Sequence, residues 1–471
     1  MAGEEFARLY SWGHDPQRKG DYETASPCNP ADVPQTLLEP ILIKYATNHG
    51  FKVRFNTAFV NFDYSDDLKP ITATLSDSLT GQEYQIKAKY LFGADGAQSR
   101  VVKQLGLPLK CKPGQGVAIN VLVKADLSHL VETRMGNLHW VMQPDRDHPE
   151  HGWMCIVRMV KPWHEWMFIL LPDPKADLTM RPTNADYEKR VREIIGDDTD
   201  GDPGRLPVDA FNLAWKVAYV HKGLAGPSLL ETYSHERQPV GESIVTRANQ
   251  SFRNHSKVWD SMGATKSDLA ERRSCFGELT EPGEEGFRRR QAFQKAIKGT
   301  TEEFHALGTE MGQRYTGAGV FTADELRPFE LTGRASKNPS LYYEPNTYPG
   351  SRLPHVWLNK AVPTTATSTI DIAGRGNFVL LTGIGGDAWK EAARRISSDL
   401  NVPLEAHSIG FRQDWEDFYF EWERLRGVAE SGAVLIRPDR VVAWRAEKVM
   451  GDVEECLQKL QAVLISILHL T

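Results

Sequence analysis

The chain has 471 residues, 41% of them hydrophobic and 25% charged, with a formal net charge of −6. That length predicts two or three domains, and that mix excludes a mostly disordered chain, a coiled coil and a collagen-like fibre. With 56 Lys plus Arg against 62 Asp plus Glu and no long basic run, nucleic acid is excluded as the main partner.

The first thirty residues are polar, carry Gly13, Gly20, Pro16, Pro27 and Pro30, and read as loop. Pro34 then opens a helix with Leu37, Leu38, Ile41, Leu42 and Tyr45 on one face, closed by Gly50. Phe51, Val53 and Phe55 alternate with Lys52, Arg54 and Asn56, the pattern of a half-buried strand. A second alternating strand holds Tyr84, Ile86, Ala88 and Tyr90 and runs into Gly93-Ala-Asp-Gly96. Residues 117–171 read as antiparallel sheet in four short runs: Val117 to Val123, Leu138 to Met142, Trp153 to Met159 and Glu165 to Leu171. Tyr187 to Ile195 reads as helix, and the turn-forming stretch from Gly196 to Pro207 breaks the pattern.

A helix restarts at Asp209 with Phe211, Ala214, Trp215 and Ala218 on one face, and residues 228–316 are helical in character. Prolines and glycines crowd the stretch that follows, which reads as a linker or cover over residues 331–367. From about 368 the order is strand, helix, strand, then two strands and the amphipathic helix of Leu457, Leu460, Leu464 and Ile467. That order predicts a separate α/β domain over 368–471.

No apolar stretch approaches the roughly 18 residues needed to span a bilayer, and the N-terminus carries no signal-peptide pattern. The five cysteines, 28, 111, 155, 275 and 456, include no CxxC pair. A disulfide scaffold and a dithiol redox site are therefore not expected, and a cytoplasmic protein with reduced thiols is. His148 and His151 stand in a Pro-rich charged loop that reads as solvated rather than as a metal site, so no metal is expected.

The strongest local signal for chemistry is Gly93-Ala-Asp-Gly96 followed by Ser99-Arg100, placed where a strand leaves its sheet. Nucleotides bind at such edges, and glycine there lets a phosphate or ribose approach the backbone. Taken alone, an Asp-Gly strand end is more often a plain turn. Its context is the Pro34-Gln-Thr-Leu-Leu-Glu39 helix before it and three segments after it. These are Asp209-Ala-Phe-Asn-Leu-Ala-Trp-Lys216, His235-Glu-Arg-Gln-Pro239 and Arg437-Pro-Asp-Arg440 with Trp444-Arg445.

Together these segments resemble the FAD-dependent aromatic hydroxylases of the phenol and dichlorophenol hydroxylase branch. The resemblance covers most of the chain in the right order. It implies an α/β fold with α+β elements: an FAD-binding domain over 1–330, an inserted antiparallel substrate sheet at about 115–195, and a thioredoxin-like C-terminal domain. It implies hydroxylation of a small phenolic or aromatic substrate with FAD, NAD(P)H and oxygen, and a homodimer as the assembly. It places Gln35 against the ribityl or phosphate part of FAD and assigns Asp95 and Gly96 to FAD. One wall of the substrate pocket would come from the sheet, with His139, Trp140, Arg158 and Trp166 as candidates. No catalytic residue is readable from spacing.

Two departures from the family pattern stand out. No GxGxxG occurs in the sequence, and Gly383-Ile-Gly-Gly386 and Gly374-Arg-Gly376 lack its spacing. The family's Gly-Asp flavin loop has only the short stretch from Gly196 to Val208 in its place, where Gly201-Asp-Pro-Gly204 imitates the lettering. Both halves of the FAD cradle are thus missing beside well-kept neighbours. The alternatives are a flavin-free protein that binds an aromatic ligand, or a truncated or mis-spliced product without activity.

Overall fold

The structure, a computed structural model, describes all residues except 65–69, 109–117, 145–151, 173–181, 197–209 and 471. The stretch from Gly196 to Val208 and the residues His148 and His151 therefore fall wholly or mostly outside the described residues. The chain divides into two compact units. The first is Met1–Gly3, Val33–Gln143 and His148–Leu206, and the second is Glu4–Asp32, Pro144–Asp147 and Pro207–Thr471.

In the first unit, helix α1 (Gln35–Asn48) forms where Pro34 predicted it, but none of its residues is buried. Leu37, Ile41, Leu42 and Tyr45 are 45–65% exposed. Residues 51–56 form no strand, and Phe51, Val53 and Phe55 stay exposed. The alternation was correct for a strand, but these residues pair in no ladder. The strands lie further on, β1 (Thr57–Asp63), β2 (Ile71–Asp77) and β3 (Glu83–Ala88), as an antiparallel meander in that order. Their register sets Ala73 opposite Ile86 and Leu75 opposite Tyr84. The β2–β3 turn is fixed by Asp77, whose Oδ1 accepts from the backbone N–H of Leu79 at 2.9 Å and of Thr80 at 3.1 Å. Helix α2 (Arg100–Gln104) follows.

The four runs of 117–171 do form one antiparallel sheet: β4 (Ile119–Lys124), β5 (Leu138–Met142), β6 (Met154–Lys161) and β7 (Glu165–Leu171), in the order β4-β7-β6-β5. Helix α3 (Asn184–Ile195) begins with a capping box between Thr183 and Asp186. Val191, Ile194 and Ile195 of α3 share a core with Val123, Val157, Trp166, Phe168 and Leu170 of the sheet. Gly152 tightens this unit, since its φ is +72° and a Cβ there would come within 2.9 Å of Leu170 Cβ. Its carbonyl accepts from the Arg190 guanidinium at 2.8 and 3.0 Å.

The second unit begins with loop and one five-residue helix, Lys19–Glu23. Helices α4 (Ala210–His221), α5 (Thr232–Ser261) and α6 (Glu284–Gly299) follow. A mixed sheet comes last, β8 (Phe378–Thr382), β9 (Leu404–Ser408), β10 (Ala433–Ile436) and β11 (Val442–Ala446). Its order is β9-β8-β10-β11, with β8 and β9 parallel and the other pairs antiparallel. Helices α7 (Asp387–Asp399) and α8 (Val453–Ile467) complete the strand, helix, strand, strand, strand, helix order.

All five residues of β8 are buried, the apolar run Phe378 to Leu381 and then Thr382. Phe378 and Leu380 pack on one face with Trp389, Ile396, Leu460 and Leu464. Val379 and Leu381 pack on the other with Leu353, Val356 and Leu358, which belong to the Pro- and Gly-rich stretch expected as linker or cover. Trp215 and Tyr219 of α4 join the first of these cores, and Tyr219 donates its hydroxyl to the Gly376 carbonyl at 2.8 Å.

Candidate functional site

The 93–100 corner is built by its own residues. A Cβ on Gly93 would lie 3.0 Å from Val101 Cβ, so glycine lets the incoming chain lie close against α2. Asp95 turns its carboxylate back onto that helix, where Oδ2 accepts from Arg100 N at 2.7 Å and Val101 N at 3.4 Å. Ser99 accepts from Val102 N at 3.0 Å. The Ser99 hydroxyl, assisted by these backbone N–H groups, holds the Asp95 carboxyl below the usual carboxylate range. Arg100 ties the corner to β1 through Phe59 O at 2.6 Å. Gly96, at φ +74°, faces open space.

Gln35 occupies the first turn of α1. Its amide Nε2 donates to the Glu39 carboxylate of the same helix, and its Oε1 is enclosed with no hydrogen-bond partner. Among the described residues no hydrogen bond joins Gln35 to Asp95. Each is held within its own local element.

The sheet residues separate by face. Register sets His139 opposite Val157, which lies opposite Phe168. His139 therefore shares the face that packs on α3, and its ring centroid lies 6.1 Å from that of Trp166. Trp166 is fully buried and donates Nε1 to Trp163 O at 3.0 Å. Trp140 lies opposite Ile156, and Arg158 lies between Leu138 and Met167, all on the other face. With Ile169 and Leu122 they form a half-buried apolar wall carrying one cation. Of the four candidates, then, Trp140 and Arg158 share a wall, while His139 and Trp166 belong to the packed side.

Sequence reasoning missed a buried polar cluster in the second unit. Asn212 and Lys216 of α4, Thr232 and Glu236 of α5, and Arg437 and Asp439 of the β10–β11 turn are 0–8% exposed. Arg437 pairs with both Glu236 oxygens at 2.6 and 2.9 Å, and with both Asp439 oxygens at 3.0 and 2.7 Å. Lys216 Nζ donates to Glu236 Oε2 and to Thr232 Oγ1, each at 2.7 Å. Asn212 Nδ2 donates to Glu236 at 2.9 Å and to Asp439 at 3.0 Å.

Two cations balance two anions, each hydrogen-bonded within the cluster. Burial pulls Lys216 down to about 8, with the Arg437 charge adding to it. Burial alone would raise Glu236, but Arg437 and Lys216 outweigh it and hold the carboxyl at about 2. A signal for this cluster was present: its charged members stand in the three segments singled out from 209 to 239 and from 437 to 440.

Cys155 is buried, and burial pushes its thiol far up, so it is no nucleophile. No helix among the described residues is long and apolar enough to cross a membrane.

Comparison with known proteins gives concordant matches. Residues 3–203 and 208–248 match the family model described as FAD binding domain, and residues 346–468 match that of the aromatic-ring hydroxylase C-terminal domain. The chain is 37% identical to the 2,4-dichlorophenol 6-monooxygenase of Cupriavidus pinatubonensis, over 96% of this chain and 81% of that one. It is also 37% identical to the phenol 2-monooxygenase of a Pseudomonas species, over 97% of this chain and 78% of that one. Among solved structures, the flavin-dependent monooxygenase PieE in complex with FAD and substrate superposes with a TM-score of 0.86 at 33% identity. That match covers 100% of this chain and 85% of PieE. The aligned span with the Cupriavidus protein, 492 positions, exceeds the 471 residues here, so that relative has internal residues with no counterpart in this chain.

Proposed function

This chain belongs to the FAD-dependent aromatic-ring hydroxylases, which are flavin monooxygenases, and from that premise we propose that its substrate is a phenol-sized aromatic ring docked on the second face of the β4–β7 sheet. In the family, FAD reduced by NAD(P)H supplies, with oxygen, the atom transferred to the ring. What this chain's own residues contribute is the seat for the ring. The single observation that carries the proposal is the wall of Trp140, Ile156, Met167 and Ile169 with Arg158 among them.

An aromatic ring buries its faces against such a wall, and Trp140 offers an edge or stacked contact. Arg158 supplies a permanent positive charge that favours a phenolate over the neutral phenol, which is the form a ring hydroxylation consumes. A homodimer in a cytoplasmic setting is proposed with it, in keeping with the family.

The test is a titration of 2,4-dichlorophenol against the intrinsic tryptophan fluorescence of the full chain. Saturable quenching is expected, weakened about 10-fold by Trp140→Leu and shifted to higher pH by Arg158→Met. No saturable quenching in the unmodified chain would refute the seat. A second reading, a ring-binding protein that works without flavin, is favoured by the local engagement of Asp95. It predicts ring binding with no hydroxylated product when FAD and NAD(P)H are supplied.

A further inference from the structure

Family membership implies an FAD site, and the described residues do not fit one. We infer that this chain by itself does not retain FAD. The inference rests on the family reading but not on the ring seat. It is carried by what occupies the places where a dinucleotide would bind.

A dinucleotide pyrophosphate is held by free backbone N–H groups at a helix N-terminus that follows a strand and a glycine-rich turn. In the first unit the corner with that order is 93–100, and its donors are already taken. Arg100 N and Val101 N serve the Asp95 carboxylate, and Val102 N serves Ser99. An incoming pyrophosphate would have to displace an ionised carboxylate and then lie beside it. Turning that carboxylate outward to a ribose would cost α2 the acceptor of Arg100 N and Val101 N, leaving only the Ser99 cap on Val102 N.

The second corner of that kind is Gly383-Ile-Gly-Gly386 before α7. Its glycines are needed for packing. A Cβ on Gly383 would lie 2.4 Å from Glu430 O, and one on Gly386 would lie 1.9 Å from Thr382 Oγ1. Asp387 already places a negative charge in the first turn of α7.

Walls for the flat rings of FAD are not formed around Gln35 either. Ring sites enclose most of the ligand in apolar surface. Here the apolar side chains next to Gln35 along the chain face solvent, with Val33 at 44% and Leu37 at 45% exposed. The doubly wound parallel sheet that gives a dinucleotide its crevice is not found among the described residues of this unit, whose two sheets are antiparallel.

The experiment is a fluorescence-anisotropy titration of FAD with the purified full chain, followed by desalting and an absorption spectrum. Flat anisotropy to about 100 µM protein and a colourless desalted protein are expected. A saturable rise at about 10 µM or tighter, or a yellow protein after desalting, overturns the inference. The 2,4-dichlorophenol titration on the same sample separates the two readings. Ring binding without FAD binding upholds both, and failure of both removes only the seat. FAD binding removes the inference whatever the phenol does. Asp95→Ala adds a second readout: loss of the acceptor of Arg100 N lowers the thermal midpoint and leaves FAD anisotropy flat, whereas loss of a flavin ligand would change the FAD titration.

Discussion

The guanidinium of Arg437 meets the carboxylate of Glu236 in a two-pronged pair, Nη1 to Oε1 at 2.6 Å and Nη2 to Oε2 at 2.9 Å. The two residues lie 201 positions apart in sequence, and neither side chain is more than 1% exposed. The pair joins α5, inside the segment matched to the FAD-binding family model, to the β10–β11 turn, inside the segment matched to the C-terminal one. The 5.0 Å approach of the Arg437 guanidinium to the Trp215 ring adds a cation–π contact on the α4 side.

Breaking that pair from one side should be costly. Arg437→Met leaves Glu236 and Asp439 buried with only Lys216 to balance them, and a lone buried charge costs about 3–5 kcal/mol. Urea unfolding of the full chain should show a lower midpoint for the second unit. Glu236→Gln should cost a similar amount, and the double variant less than the sum of the two. Additive effects of under about 1 kcal/mol each would show that the cluster contributes nothing beyond its packing.

The same cluster sets a pH dependence whose sign follows from the two shifts. Glu236 is held at about 2 against an ordinary 4.5, so the stability it contributes is complete above 4.5 and lost as pH falls towards 2. The loss amounts to about 3 kcal/mol. Lys216 is lowered from 10.5 to about 8, so the folded state releases its proton first. Its contribution makes stability rise between pH 8 and 10.5. Lys216→Met should remove that alkaline rise and leave much of the acid loss in place, as read from thermal midpoints against pH. An alkaline rise that survives in Lys216→Met belongs to some other group.

The two faces of the β4–β7 sheet should respond differently to substitution. Trp166 is fully buried among Val123, Val157 and Phe168, so Trp166→Ala should cost about 3–5 kcal/mol. Trp140 and Arg158 stand on the half-buried face, and their substitution should change ring affinity with little change in the unfolding midpoint. If Trp166→Leu weakened the ring titration as much as Trp140→Leu while leaving stability intact, the assignment of faces would be reversed.

How far the fold could be read varied with how local its causes are. Helix α1, the four strands of 117–171 and the order of the C-terminal elements followed from periodicity, because each repeats its signal over several residues. The strands β1 and β2 were missed, although Ile71, Ala73 and Leu75 of β2 alternate with Thr72, Thr74 and Ser76; in β1 Ala58, Phe59 and Val60 run together and blur the alternation. The expected strand at 51–56 shows the converse: alternation is a request for a partner, and here no strand pairs with those residues. Asp95 looked like a ribose ligand by its place after a strand, yet in this structure it accepts from Arg100 N and Val101 N at the start of the five-residue helix α2, beside its N-cap Ser99. Position in sequence could not tell those uses apart, because both need a carboxylate at a strand-to-helix corner. The Glu236–Arg437 cluster was invisible as a cluster, because charge pairs across 201 positions leave no periodic trace.

The boundary near 368 can be tested by cutting there. The core around β8 includes Trp215, Tyr219, Ala225 and Leu229, all 6% exposed or less and all upstream of that boundary. Trp215 and Tyr219 meet Phe378 edge to face, with ring centroids 5.9 and 5.8 Å away. A fragment of residues 368–471 would expose Phe378 and Leu380 where α4 now covers them, and would leave Arg437 buried without Glu236. Such a fragment should be molten: far-UV dichroism retained, near-UV bands lost and a hydrophobic dye bound. The fragment 207–471 keeps α4, α5 and the whole polar cluster and should unfold cooperatively. A cooperative transition in the shorter fragment, with sharp near-UV bands, would show that the mixed sheet and its two helices suffice, and that α4 adds stability without defining the unit.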